Sequence, residues 1–75
     1  MSPRHELETA IFASNLRKIM RKRGVSQAWL ANAIGTTQGA VCLWCGAKRE
    51  PTATSLKRTA IALEVSVDEL LEGIE

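Results

Sequence analysis

Capping residues and glycines divide this sequence into helical segments, and they constrain the fold more than any other feature. Ser2 followed by Pro3 has the pattern of an N-cap and a first helical position. From there to Arg23, apolar residues recur at mixed helical spacings, which predicts helical structure up to a stop at Gly24. Periodicity leaves open whether this stretch forms one long helix or two.

Two shorter helices are predicted next. Ser26 can cap a helix over residues 27–34, and Gly35 suits the left-handed conformation that ends such a helix. Thr37 can cap a third helix that runs through Cys45. Two short helices joined by a tight glycine turn are the unit that places a second helix in the major groove of DNA.

The remaining sequence contains a loop and two more helix starts. Residues 46–51 have the composition of a loop, and Thr52 can cap a fourth helix after it. Ser66 begins a capping box for a fifth helix over residues 67–72, which Gly73 stops. No segment alternates with period two, so the sequence predicts an all-α fold.

The chain length allows one small domain. Its 75 residues are about half of a typical domain length, so we expect residues 1–75 to form a single compact unit. A core of this size leaves little net stability, which favours ideal helix packing or dimerisation. Because the chain lacks both a membrane-spanning apolar run and a signal peptide, we expect a cytoplasmic protein with no membrane contact.

Positive charge is concentrated in the middle of the chain. The net charge is +2, but the stretch from Thr9 to Arg49 contains seven basic residues and no acid. Such a stretch favours a polyanion as partner. Charge alone does not decide between nucleic acid, an acidic protein and a merely solvated face.

The helix-turn-helix segment resembles a known family. It looks like the phage-repressor and Cro type, that is, the lambda-repressor-like domain of XRE-like regulators, in the residues Ser26-Gln27-Ala28-Trp29-Leu30-Ala31-Asn32-Ala33-Ile34-Gly35-Thr36-Thr37-Gln38, Val41 and Trp44. The loop at 48–51 and the segment 63–71 also match, so the resemblance extends roughly from Phe12 to Gly73.

The resemblance implies a compact five-helix domain and a function. Residues 26–45 would form the helix-turn-helix unit, and residues 1–11 an N-terminal helical extension. The protein would be a sequence-specific double-stranded DNA-binding transcriptional regulator from a bacterium or phage, located at the nucleoid. It would act as a homodimeric repressor on a palindromic operator with half-sites roughly 34 Å apart. No enzymatic activity, cofactor, metal or small-molecule substrate is implied.

The resemblance also assigns roles to single residues. Gln27 and the loop residues Lys48 and Arg49 match positions that hold phosphates. Base readout falls to the recognition helix, at Thr37, Gln38, Gly39, Cys42 and Leu43. Gln38 can read adenine, whereas apolar side chains can contact thymine methyl groups. Residues matching the pairing region, or placed to contact a partner, are Val67, Glu69, Leu70 and Trp29.

The sequence departs from the family pattern at several positions. The recognition helix has few hydrogen-bonding side chains, so DNA shape or a partner would add to its affinity. Met20 and Cys45 replace an Arg–Glu ion pair of many relatives, a double change that can be neutral or stabilising. The usual glycine after the recognition helix falls at Ala47, preceded by Gly46, which predicts a turn shifted by one residue. Glu64 replaces a helix-ending glycine, at a cost if its φ is positive.

Several residues have two interpretations. Cys42 and Cys45 form a CxxC that could be a metal site, a redox switch or two reduced thiols, of which reduced thiols fit a cytosolic protein best. Trp29 is either an exposed contact anchor or a cover for the first helix. Val67 and Leu70 fit a pairing surface and core packing equally well.

A second function class stays open. The same fold could be a protein-binding module, such as an antitoxin or co-regulator, and Trp29 with the apolar recognition helix favours it. The acid-free middle and Gln27 with Gln38 favour DNA. An enzyme is a poor fit, because one histidine and a basic middle without acids offer no nucleophile–base set.

Overall fold

The chain folds into helices throughout its described part. The computed structural model describes residues 3–74, with side chains from residue 5 onward. This range contains no strand and five helices, α1 Pro3–Arg23, α2 Gln27–Ile34, α3 Gln38–Cys45, α4 Ala53–Leu63 and α5 Val67–Leu70. The predicted all-α, five-helix class is confirmed. The predicted N-cap Ser2 lies outside the described residues.

α1 is one continuous helix of 21 residues, which answers the question that periodicity left open. It joins residues 3–11 of the N-terminal extension to the family-like part without a break. None of the described helices is long and apolar enough to span a membrane. The Cα radius of gyration is 11.3 Å, close to the value of about 11 Å expected for a compact chain of this length.

The helix-turn-helix has the predicted boundaries because its caps form as expected. The Ser26 hydroxyl accepts a hydrogen bond from the Trp29 amide at 3.0 Å, and the Thr37 hydroxyl accepts one from the Ala40 amide at 3.1 Å. Between the helices, Gly35 has φ +75°, a conformation that glycine adopts without a Cβ penalty. The tight joint between α2 and α3 therefore follows directly from the sequence.

Each helix contributes to one hydrophobic core. Its fully buried side chains come from every helix, with Leu16, Leu30, Val41, Leu63 and Leu70 each at most 1% exposed. α1 contacts α3, α4 and α5, while α2 contacts both α3 and α4. Among the described helices, the backbones of α3 and α4 do not come close to each other.

The turn after α3 differs from the prediction. Gly46 has φ −90°, and Ala47 itself takes the left-handed conformation with φ +58°. The predicted one-residue shift is therefore wrong. The reason is that the Gly46 amide still bonds to the Cys42 carbonyl at 3.0 Å, which continues the helical turn and leaves the reversal to Ala47.

Glu64 ends α4 in the left-handed conformation, with φ +58°. This conformation is costly for a residue with a Cβ, as the sequence analysis expected for a positive φ. Arg23 supports this turn from α1. Its guanidinium donates to the Glu64 carbonyl at 3.1 Å and lies 3.3 Å from the Glu64 carboxylate.

The last helix is shorter than predicted. α5 ends at Leu70, not at Glu72. The side-chain amide of Asn15 on α1 donates hydrogen bonds to the carbonyls of Leu70 and Glu72, both at 2.9 Å. These two carbonyls therefore have a hydrogen-bond partner although the helix does not continue. The same contacts hold the C-terminal segment against α1.

Candidate nucleic-acid interface

α3 presents one face to the core and the other to solvent. Val41, Trp44 and Cys45 are buried, as predicted for Trp44. The cap and the outward positions are exposed, and they are the predicted base-readout residues Thr37, Gln38, Gly39, Cys42 and Leu43. The structure thus brings this set together on one accessible helix face.

This face has little hydrogen-bonding capacity. Gln38 carries an amide that can both donate and accept, while the Thr37 oxygen already accepts from the Ala40 amide. Leu43 is 36% exposed and adds apolar surface. Gly39 is open, because a Cβ there would meet only the Thr37 hydroxyl at 3.9 Å. The face can therefore read a base edge at one point and contact methyl groups beside it.

Gln27, predicted to hold a phosphate, is the first residue of α2 and is half-buried. It lines a shallow groove together with Arg17 and Arg21 of α1 and Cys45 at the end of α3. Unbonded amides at a helix start and two guanidinium groups both favour an anion. The groove is therefore a candidate phosphate site next to the recognition helix.

Arg17 and Arg21 are site candidates that the sequence analysis missed. The sequence analysis counted both among the basic residues of the acid-free stretch and assigned neither of them to a phosphate. The signal was their spacing of four, which places both on one side of the helix. Lys18 and Lys22 instead line a groove that also contains Glu64, Glu69 and Glu72. The cations of α1 are thus divided between two surfaces.

Lys48 and Arg49 lie in the loop after α3, and both are exposed. Neither forms an ion pair with any side chain among residues 5–74. The amides of both bond to the Leu43 carbonyl, at 2.9 and 3.3 Å, so the loop folds back on the end of the recognition helix. Two cations are therefore held beside α3.

Comparison with known proteins agrees with this geometry. The family model of the Cro/C1-type HTH DNA-binding domain matches residues 15–75. The chain belongs to the Cro/C1-type helix-turn-helix family. Among solved structures, the hypothetical transcription factor NHTF from Neisseria is similar, with 26% sequence identity and a TM-score of 0.80 over 85% of this chain and 74% of that protein. No curated protein matches the sequence.

Beneath the recognition helix, this family member has sulfur in place of charge. The Cys45 thiol lies 3.9 Å from the Met20 sulfur, and both side chains are buried. Burial raises the pKa of the Cys45 thiol, although the positive charge of Arg17 acts in the opposite direction. The Arg17 guanidinium also donates to the Cys45 carbonyl. α3 is thus fixed to α1 by apolar packing and one cationic hydrogen bond.

The CxxC is made of two free thiols in different environments. Cys42 is exposed on the outward face of α3, whereas Cys45 is in the core. Among the described residues, no group of three or more histidine, cysteine, aspartate or glutamate side chains could hold a metal ion.

The predicted partner contacts are not brought together. Leu70 is fully buried in the core, which corrects its interpretation as a pairing residue, and core packing is its role. Val67 is half-buried against the same core and Glu69 is exposed. Trp29 is 45% exposed and lines a groove between α2 and α4, beside Ile61. This groove belongs to α2 and α4, away from the face of α3 that carries the readout residues.

Proposed function

We propose that this protein is a sequence-specific transcriptional regulator that binds double-stranded DNA in the major groove. The observation that carries the proposal is the outward face of α3, which is accessible and flanked by two exposed cations, Lys48 and Arg49, in the loop after it. Basic side chains lie on both sides of this face, in the groove at the start of α2 and in the loop after α3. This arrangement fits a protein that binds phosphates on either side of the bases it contacts.

In this proposal Gln38 reads an adenine edge, and Cys42 with Leu43 contacts thymine methyl groups. Thr37 and Gly39 allow the backbone at the start of α3 to approach the bases. Phosphates are bound by Gln27, Lys48 and Arg49, with Arg21 added from the structure. The arrangement makes one strong base contact, so specificity depends on DNA shape as well.

Selection from a random duplex library at about 0.15 M salt tests the proposal, since weak non-specific binding is largely screened there. We expect enrichment of a defined sequence. Retention without enrichment would reduce the function to backbone binding, and no retention would refute it.

Two variants separate reading from phosphate binding on the selected site. Gln38→Ala should lose about 1–3 kcal/mol of discrimination at one base pair. Arg49→Ala should weaken all sequences alike and reduce the slope of log affinity against log salt by about one. Lys57→Ala is the matched control, because Lys57 is an exposed cation on α4, which does not contact α3. A Gln38→Ala variant that weakens every sequence equally would refute the assigned readout.

The proposed regulator acts in the cytoplasm as a dimeric repressor on a palindromic operator. Val67 and Glu69 remain accessible enough to take part in pairing. Sedimentation at micromolar concentration, with and without the selected duplex, tests this point. An 8.2 kDa species alone, or one chain per duplex, would contradict the dimer.

A protein-binding module remains the second candidate, because Trp29 is 45% and the adjacent Ile61 67% exposed. An exposed tryptophan next to an aliphatic side chain is typical of an interface anchor. Under this alternative, Trp29→Gln abolishes binding of a protein partner in a pull-down and leaves DNA selection unchanged. Loss of DNA selection in Trp29→Gln would contradict a separate protein-binding surface.

A further inference from the structure

We infer that the N-terminal extension positions the phosphate-binding loop, with Thr9 as the positioning residue. Thr9 holds Glu50, and through Glu50 it orients Lys48 and Arg49 towards DNA. The inference rests on the proposed function and deepens it. It gives a role to a stretch of chain that lies outside the matched family region of residues 15–75.

The contact joins parts of the chain that are far apart in sequence. The Thr9 hydroxyl lies 2.9 Å from a carboxylate oxygen of Glu50, 41 positions away. It also lies 2.9 Å from the His5 carbonyl one turn earlier in α1, so its single proton faces two acceptors. His5 adds a ring nitrogen 3.7 Å from the same carboxylate. Thr9 is only 7% exposed, so water competes little for this hydroxyl.

The loop is therefore held at both ends. At its start, the Lys48 and Arg49 amides bond to the Leu43 carbonyl of α3. At its end, Glu50 is held by α1. Between these two attachments, the side chains of Lys48 and Arg49 are exposed and form no ion pair within residues 5–74. A loop fixed at two points presents its cations in one orientation and loses less entropy when it binds.

The same contact also controls the negative charge of the loop. Glu50 directly follows the two cations, and a free carboxylate there would repel nearby phosphates. Its bond to Thr9 directs the carboxylate towards α1. The Thr9–Glu50 contact therefore orders the loop and gives its one acidic side chain a partner on α1, in a small pocket that Lys48 and Arg49 also line.

A double-mutant cycle tests the inference on the selected duplex. Thr9→Val keeps the shape of the side chain and removes the hydroxyl, and Thr9→Ser keeps the hydroxyl. We expect Thr9→Val to bind about fivefold more weakly, the effect of one net hydrogen bond, and Thr9→Ser to bind within twofold of wild type. Thr54→Val, at an exposed position in α4, is the matched control and should leave affinity unchanged.

The second arm of the cycle repeats Thr9→Val in a Lys48→Ala/Arg49→Ala background. If Thr9 acts through these cations, Thr9→Val should change the affinity of the Lys48→Ala/Arg49→Ala protein less than twofold. In the wild-type background, Thr9→Val should lower the slope of log affinity against log salt towards the slope of the Lys48→Ala/Arg49→Ala protein. An equal loss in both backgrounds, no loss in wild type, or failure of Thr9→Ser to restore binding would overturn the inference. Thr9→Ala replaces Thr9→Val if the valine variant does not fold. Absence of DNA binding by wild type would instead refute the proposed function, and the inference with it.

Discussion

Replacing Gly35 by alanine isolates the backbone requirement at the joint of the helix-turn-helix. Gly35 has φ +75°, and a Cβ built on it would meet nothing within 4 Å. The substitution therefore removes no contact and creates no clash with the rest of the chain. Its whole effect comes from placing an L-residue in the left-handed region.

The magnitude follows from two opposing terms. The left-handed conformation costs a residue with a Cβ about 1–2 kcal/mol. Alanine also restricts the unfolded chain, which offsets about 0.4–1 kcal/mol of that cost. We expect Gly35→Ala to lower the free energy of unfolding by about 1 kcal/mol, which corresponds to a drop in Tm of about 4–8 °C for a domain of this size.

Gly39→Ala is the matched control, because it makes the same chemical change in the helical backbone of α3. Its Cβ would lie 3.9 Å from the nearest atom, the Thr37 hydroxyl, so it fits without strain. Alanine at this position should stabilise by up to about 0.5–1 kcal/mol. Urea unfolding followed by circular dichroism measures both variants. Equal stability of Gly35→Ala and wild type, or effects of the same sign and size for both variants, would refute the reasoning.

Three more predictions concern the core and its sulfur atoms. In the native protein, a thiol reagent should label the exposed Cys42 before the buried Cys45. Mass spectrometry of the modified peptides measures the order, and labelling of Cys45 first would contradict the prediction. Because burial raises the pKa of the Cys45 thiol, the folded state holds its proton more tightly, so the resulting stability is fully present below the unfolded pKa and is lost as the pH rises from there through the raised folded pKa. Urea midpoints should therefore fall more between pH 7 and pH 10 for wild type than for Cys45→Ala, and equal falls would exclude this cause. Met20→Arg should destabilise by about 3–5 kcal/mol by burying an unpaired charge, and adding Cys45→Glu should recover part of the loss. No recovery in the double variant would mean that the site no longer accommodates an ion pair.

Local signals predicted most of the helix boundaries. Ser26 and Thr37 act within three residues of their own positions, so their caps could be identified without any tertiary information. Gly35 was predictable for the same reason, since its conformation is a local property. The outward face of α3 followed from helical spacing once Val41 and Trp44 were placed in the core.

The errors arose where distant contacts decide the structure. α5 ends early because Asn15, far away in sequence, bonds to the carbonyls at its end. The turn at Ala47 is the exception, because the bond that determines it, from the Gly46 amide to the Cys42 carbonyl, is local. Arg17 was missed because its partner, the Cys45 carbonyl, is 28 residues away and belongs to the backbone. No single-sequence pattern marks such a pairing.

Met20 and Cys45 form no ion pair beneath the recognition helix, so added salt should affect DNA binding and the packing of α3 differently. The ion pair of Arg23 with Glu64 is at the surface, whereas Met20 and Cys45 meet through sulfur in the core. Added salt screens surface charges strongly and apolar packing hardly at all. Raised ionic strength should therefore release a bound polyanion while α3 keeps its place on the core, so that the protein leaves its ligand as a folded molecule ready to bind again.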